Sequence, residues 1–292
     1  MDTEPTLLYL ATILPPILLL IIIWKADRFK EPGHLLAASF LLGAAIGLPL
    51  DLLIGIVEDI LAPLLGLDLQ SLDDAEYKLK YNLWDPAKDV FPWLEAAYMN
   101  FLRAAYLEES IKFALIIFFC VQLTNLDEPM DAIVYAAAIG LGYAAMENIG
   151  YLYYELGKCA TEDCWTWKMV KVRYYPLVMH LGFAVVMGLF LSQALFDEES
   201  FFKRRIMIIL SLVAPVMIHG IYNFNRTFDT FPALMVMFII FIFYYFRRSQ
   251  DKKITETEHK RKIEVINIFY SYGAALALVS VIIISAALIR SA

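Results

Sequence analysis

Residues 6–24 read TLLYLATILPPILLLIIIW. No charge interrupts them, and as a helix they rise close to the ~30 Å of a bilayer's hydrocarbon core. Residues 265–289, VINIFYSYGAALALVSVIIISAALI, repeat the pattern at the other end of the chain. Backbone in lipid must satisfy its own hydrogen bonds, which leaves helices or a closed barrel. No alternating ten-residue pattern of a barrel is present, so helices are expected. The chain as a whole agrees: of its 292 residues 60% are hydrophobic and 19% charged. That is too apolar for an ordinary soluble domain. The expected fold is an all-α, polytopic membrane helix bundle.

Eight spans are expected, at about 6–24, 34–57, 103–124, 131–154, 174–196, 206–225, 231–246 and 265–289. With no internal repeat or low-complexity linker, they form a single transmembrane domain over 1–292. Within it, 58–102 is an outer loop or cap and 103–225 carries the core helices. The first residues, Met1-Asp2-Thr3-Glu4-Pro5, are acidic rather than basic, so the first span is read as a retained helix and not a signal peptide. Basic clusters set the orientation. Lys25, Arg28 and Lys30, then Lys203, Arg204 and Arg205, then Arg247 to Lys262, all fall on one side, taken as cytoplasmic. The expected localisation is a cell membrane, multi-pass, with both termini extracytoplasmic. A net charge of −7 argues against nucleic acid. Cys159 and Cys164 share an outer loop whose spacing allows a disulfide, and Cys120 sits in an apolar helix.

Charged groups inside spans are costly, so those present usually work. The third span carries Glu108, Glu109 and Lys112; Glu108 and Lys112 are one turn apart and can pair. The fourth carries Glu147 and Asn148 after a Gly- and Ala-rich run that permits close helix approach. The fifth carries His180, the sixth His219 and Asn223. An interfacial ion pair and two hydrogen-bonded packing histidines are the plain alternative. Depth argues against it. Glu109, Glu147, His180 and His219 all fall roughly 9–12 Å below the outer surface at ~1.5 Å per residue. Four helices of alternating direction place their polar groups in one layer. Pro176 and Pro215 each precede a histidine by four residues, which ordinary tolerance in membrane helices explains, or a kink that shapes a cavity.

Two carboxylates and two imidazoles suit zinc, with Glu147, His180, His219 and also Glu109 as candidate ligands. They equally suit a metal-free site, in which a glutamate activates water and His219 with Asn223 stabilises an oxyanion. Either route hydrolyses an amide.

The motifs also resemble a family. Glu108-Glu109-Ser110-Ile111-Lys112 is similar to the E-E-x-x-K motif of the PrsW family of intramembrane proteases. Tyr143 to Asn148 resembles its F-x-x-x-E-N motif, with Tyr for Phe. His180, followed by Gly188, matches its lone His with a distant Gly. His219 to Asn223 resembles its H-x-x-x-D ending, with Asn for Asp. Order and separate helices agree across spans three to six. The resemblance implies a multi-pass protease related to the CAAX-prenyl and bacteriocin-immunity-like membrane proteases. It also implies a membrane-anchored protein substrate such as an anti-sigma factor, cut first on the extracytoplasmic side. Asn223 would be a poorer metal ligand than Asp, which favours an oxyanion or substrate contact there. The site residues expected on both grounds are Glu108, Glu109, Glu147, His180, His219 and Asn223. A transporter with a proton relay is a second reading, but a layer near one face is not a path across. A non-enzymatic scaffold is a third.

Overall fold

The computed structural model describes residues 3–56, 59, 98–123, 125–158, 166–197, 200–224, 240 and 244. The described residues hold no strand. The expected cap is described only at Asp59 and from Tyr98 on. The pair Cys159 and Cys164 and the last two expected spans lie outside the described residues, apart from Ile240 and Tyr244. Four described stretches are long and apolar enough to cross a membrane: Pro5–Ala26, Pro129–Gly157, Thr166–Phe196 and Phe201–Asn223.

Helix α1 (Thr3–Ala26) is the expected first span, with Pro15 and Pro16 inside it. Leu7, Leu14, Leu18 and Ile22 are exposed along it, the pattern of a helix facing lipid. The second expected span is two helices, α2 (Gly33–Ala44) and α3 (Gly47–Ile56). Pro49 explains the break. It has no N–H for the Ala45 carbonyl and its ring crowds that group, so the ladder restarts with Pro49 in the first turn, where proline is tolerated. The third span begins earlier than expected, as a π-helical segment (Tyr98–Tyr106) running directly into α4 (Leu107–Phe118).

Helix α5 (Pro129–Lys158) is the axis of the bundle and packs against α1, α2 and α7. Its small residues work as the sequence suggests. A Cβ on Gly142 would lie 1.9 Å from the Phe40 carbonyl oxygen of α2, and one on Gly43 would lie 2.1 Å from that of Ile139. Gly188 plays the same part for α7, where a Cβ would lie 2.6 Å from the Ala132 oxygen. Backbones this close permit dense van der Waals contact without a hydrophobic driving force.

The fifth span is preceded by a short helix. Helix α6 (Thr166–Val172) and α7 (Tyr174–Ser192) meet at the single turn residue Arg173. Pro176 cannot donate to the Val172 carbonyl, and the regular helix is interrupted at the residue after Val172, Arg173. Pro215 lies within the unbroken α8 (Phe201–Phe224).

At the end of the bundle where α5 begins, the α1–α2 linker is tied down by a polar knot. Trp24 Nε1 donates to the Glu31 carbonyl at 2.8 Å, and the Tyr135 hydroxyl donates to the Glu31 carboxylate. Asp131 accepts the backbone N–H groups of Asp127 and Glu128 at 2.8 and 2.6 Å, capping α5. Asp131 is a buried span acid outside the expected site, with a structural task.

Candidate active site

Helices α4, α5, α7 and α8 bring five of the six expected residues together. Glu108, Glu109, His180 and His219 are all buried, and each offers a ligand atom within 4.8 Å of the others'. Glu147 adjoins them, its Oε2 3.0 Å from His180 Nε2. Asn223, one turn beyond His219, is half-buried and stands outside this set.

Lys112 is the hub. Its ammonium donates to Glu109 Oε1 at 2.7 Å and to His180 Nδ1 at 3.1 Å. It lies 3.8 Å from Glu108 Oε2 and 4.2 Å from the centre of the Tyr143 ring. The sequence pairs Lys112 with Glu108; the closer partner is Glu109. An ammonium has no acceptor, so His180 Nδ1 must accept, and Nε2 carries the hydrogen that faces Glu147. His219 Nδ1 lies 2.9 Å from Glu109 Oε1 and donates to it, which leaves Nε2 turned toward Glu108 Oε2, 4.0 Å away. Phe183 stacks on the His219 ring at 4.5 Å and meets His180 edge-on, fixing both imidazoles.

Two oxygens in this nest have no hydrogen-bond partner, Glu108 Oε2 and Glu109 Oε2. Buried polar atoms of this kind are rare without a reason. Two carboxylates against one ammonium also leave an excess negative charge in a place where burial penalises it, and a proton or a cation would balance it.

The site has a rim the sequence did not reveal. Arg173, at the α6–α7 joint, pairs through Nη2 with Glu147 Oε2 and donates from Nε to Asn148 Oδ1 at 2.7 Å. Asn148 Nδ2 donates back to the Arg173 carbonyl at 3.3 Å. Glu147 has no cation within one turn on its own helix, and Arg173 and His180 are its partners. The signal for Arg173 was weak because it is an ordinary basic residue at a helix end in sequence.

Position in the bundle is also defined. Exposed Tyr153, Tyr154, Trp167 and Tyr175 crowd the end where α5 stops and α7 starts, as in an interfacial aromatic belt. Glu147 is six residues from Tyr153, about 9 Å along the axis. His219 is sixteen from Lys203 at the other end of α8, about 24 Å. The site therefore lies nearer the aromatic end than the Lys203 end.

The sequence profile described as PrsW family intramembrane metalloprotease matches residues 31–246, which include all of these groups. The chain belongs to the PrsW family. Among curated relatives, it is 23% identical to Protease PrsW of Clostridioides difficile (strain 630) over 257 residues, covering 88% of this chain and 94% of the relative. It is 26% identical to Protease PrsW of Bacillus subtilis (strain 168) over 245 residues, covering 83% and 93%. With the Protease PrsW of Geobacillus kaustophilus (strain HTA426) it shares 35% over 123 residues, covering 42% and 49%. No solved structure matches the chain. Family membership makes it a membrane protein and a protease.

The family description implies a metal. The donor set fits one by type: Glu108, Glu109, His180 and His219 supply carboxylate oxygen and imidazole nitrogen, and two of those oxygens are unpartnered. This set differs from the expected one in including Glu108 and leaving Glu147, held by Arg173, beside it.

Proposed function

We propose that this PrsW-family protease hydrolyses a peptide bond of a membrane-anchored protein near the extracytoplasmic face. The family resemblance points to first-site cleavage of an anti-sigma-factor-like regulator. The observation that carries the chemistry is Glu109: wholly buried, with one oxygen held by Lys112 and His219 and the other without a partner.

In this reading Glu109 takes the proton of the attacking water, and Lys112 and His219 fix its orientation. Glu108 faces the same space and shares the Lys112 charge. His180 is held by Glu147 on one nitrogen and by Lys112 on the other, so it keeps one tautomer and one ring plane. Asn223, a turn beyond His219, is assigned the developing oxyanion or the substrate chain. A divalent metal such as zinc would find open donors on Glu108, Glu109 and His219, with His180 joining them once Lys112 turns away from its Nδ1, and would polarise the scissile carbonyl and acidify the water.

The test is cleavage of a panel of single-span reporters co-reconstituted with the purified protein in liposomes. Alanine at Glu109, Glu147, His180 or His219 is expected to abolish cleavage with the fold intact. Full activity in all four variants would sink the proposal. Metal analysis of the active protein separates the two chemistries, since stoichiometric zinc supports the metal version and a metal-free active enzyme removes it.

A further inference from the structure

Arg173 is engaged on three sides. Its Nη2 meets Glu147 Oε2, its Nε donates to Asn148 Oδ1, and its guanidinium lies 4.1 Å from the centre of the Tyr151 ring. The first two contacts use the planar fork of arginine, which a lysine's single ammonium does not reproduce. Its own carbonyl accepts from Asn148 and from the backbone of Leu177, so the residue is fixed through its main chain as well. The side chain is 12% exposed and that of Glu147 21%, against 0% for Glu109. Arg173 thus occupies the rim of the site and Glu109 its centre.

The same Glu147 oxygen that receives Arg173 also receives His180 Nε2. The Glu147 carboxylate would otherwise be able to rotate about its last two bonds and release the imidazole. Without that acceptor, the hydrogen that Lys112 keeps on Nε2 has no partner and the ring is free to turn.

We propose that Arg173 is a positioning residue of this protease: clamped by Asn148 at the α6–α7 joint, it immobilises Glu147 and thereby holds the His180 ring in the plane in which Nδ1 faces Lys112. The proposal rests on the reading of the Glu109–His180–His219 nest as the hydrolytic centre. Arg173 itself touches no reacting atom. Its loss lowers the turnover number and spares substrate binding, by the ten- to hundredfold typical of residues that orient a site's inner ligands.

The test has one arm that needs no activity. The chain has 4 histidines, so ¹⁵N ring labelling gives few signals, and H180Q identifies the one of interest. In the wild type the His180 signal should report hydrogen on Nε2. In R173A the Nε2–H signal should move and broaden as its fixed carboxylate partner is lost. The second arm uses the single-span reporter cleaved by the wild type: R173A should lose about ten- to hundredfold in kcat with KM within about twofold, N148A should follow in the same direction, and added guanidinium should recover part of the R173A loss. R173K keeps the charge and should fall between the two, which also supplies a reading if R173A does not fold. An unchanged His180 signal in R173A or R173K overturns the proposal, as does a rise in KM alone, which would make Arg173 a substrate contact. If E109A still cleaves, the hydrolytic reading fails while the His180 signal stands or falls by itself.

Discussion

Lys112 brings a full positive charge into a space with almost no water, 1% exposed and ringed by Glu108, Glu109, His180 and Tyr143. Removing one partner of a buried pair leaves the other uncompensated, which typically costs about 3–5 kcal/mol. K112M is therefore expected to lower the thermal midpoint sharply in detergent and to abolish cleavage, as read by scanning fluorimetry and the reporter assay. E109Q keeps shape and volume but removes the carboxylate nearest the ammonium; with Glu108 still 3.8 Å from Lys112 it should lower the midpoint less than K112M, and it should reduce turnover by about 10²–10⁴, the usual contribution of a positioned general base. These residues were legible in sequence because carboxylates, lysine and histidines in apolar spans stand out by cost alone. Their pairing was not. The i,i+4 spacing favours Glu108 with Lys112, and only the neighbouring helices decide that Lys112 turns to Glu109 and His180. Arg173 was illegible for the opposite reason: arginine at a helix end needs no explanation until Glu147 is seen opposite it.

At the scale of elements, contacts between helices depend on missing side chains. Gly142 and Gly150 lie on the same helix, yet a Cβ on Gly142 would strike the α2 backbone at 1.9 Å while one on Gly150 would meet nothing within 4 Å. G142A should cost about 1–3 kcal/mol, as overpacking does, and G150A should leave the thermal midpoint unchanged or raise it. The α1–α2 linker offers a second test. Burial, with Asp127 adding to it, raises the Glu31 carboxyl above its ordinary 4.5, against the lowering hydrogen bonds of Tyr135 and Asp131. The folded protein thus holds this proton more tightly than the unfolded chain. That contribution to stability is full below the ordinary value and is lost as pH rises through the raised one. The thermal midpoint should climb as pH falls from 7 toward 5, and E31Q, which cannot titrate, should flatten that slope. Among the described residues, helix was readable from apolar length. The α2–α3 break and the α6–α7 joint were not, because proline interrupts one helix and is accommodated inside another, as Pro215 is in α8.

For the whole molecule, the sequence supplies a side as well as a depth. With the aromatic end outside, a cysteine replacing Lys168 on α6 should react with an impermeant maleimide in intact cells, and one replacing Arg28 only after permeabilisation, both in a background free of the 3 native cysteines. The reverse labelling would turn the molecule over and move cleavage to the cytoplasmic face. The covalently attached ammonium at the heart of the nest has one more consequence, for biogenesis. Small metallo-domains fold only once loaded, because nothing else neutralises their ligands. Here Lys112 already does so for Glu109. In the metal version of the proposed chemistry, insertion and assembly in the bilayer can then be completed before any ion arrives, and a chelator should silence the enzyme without melting it.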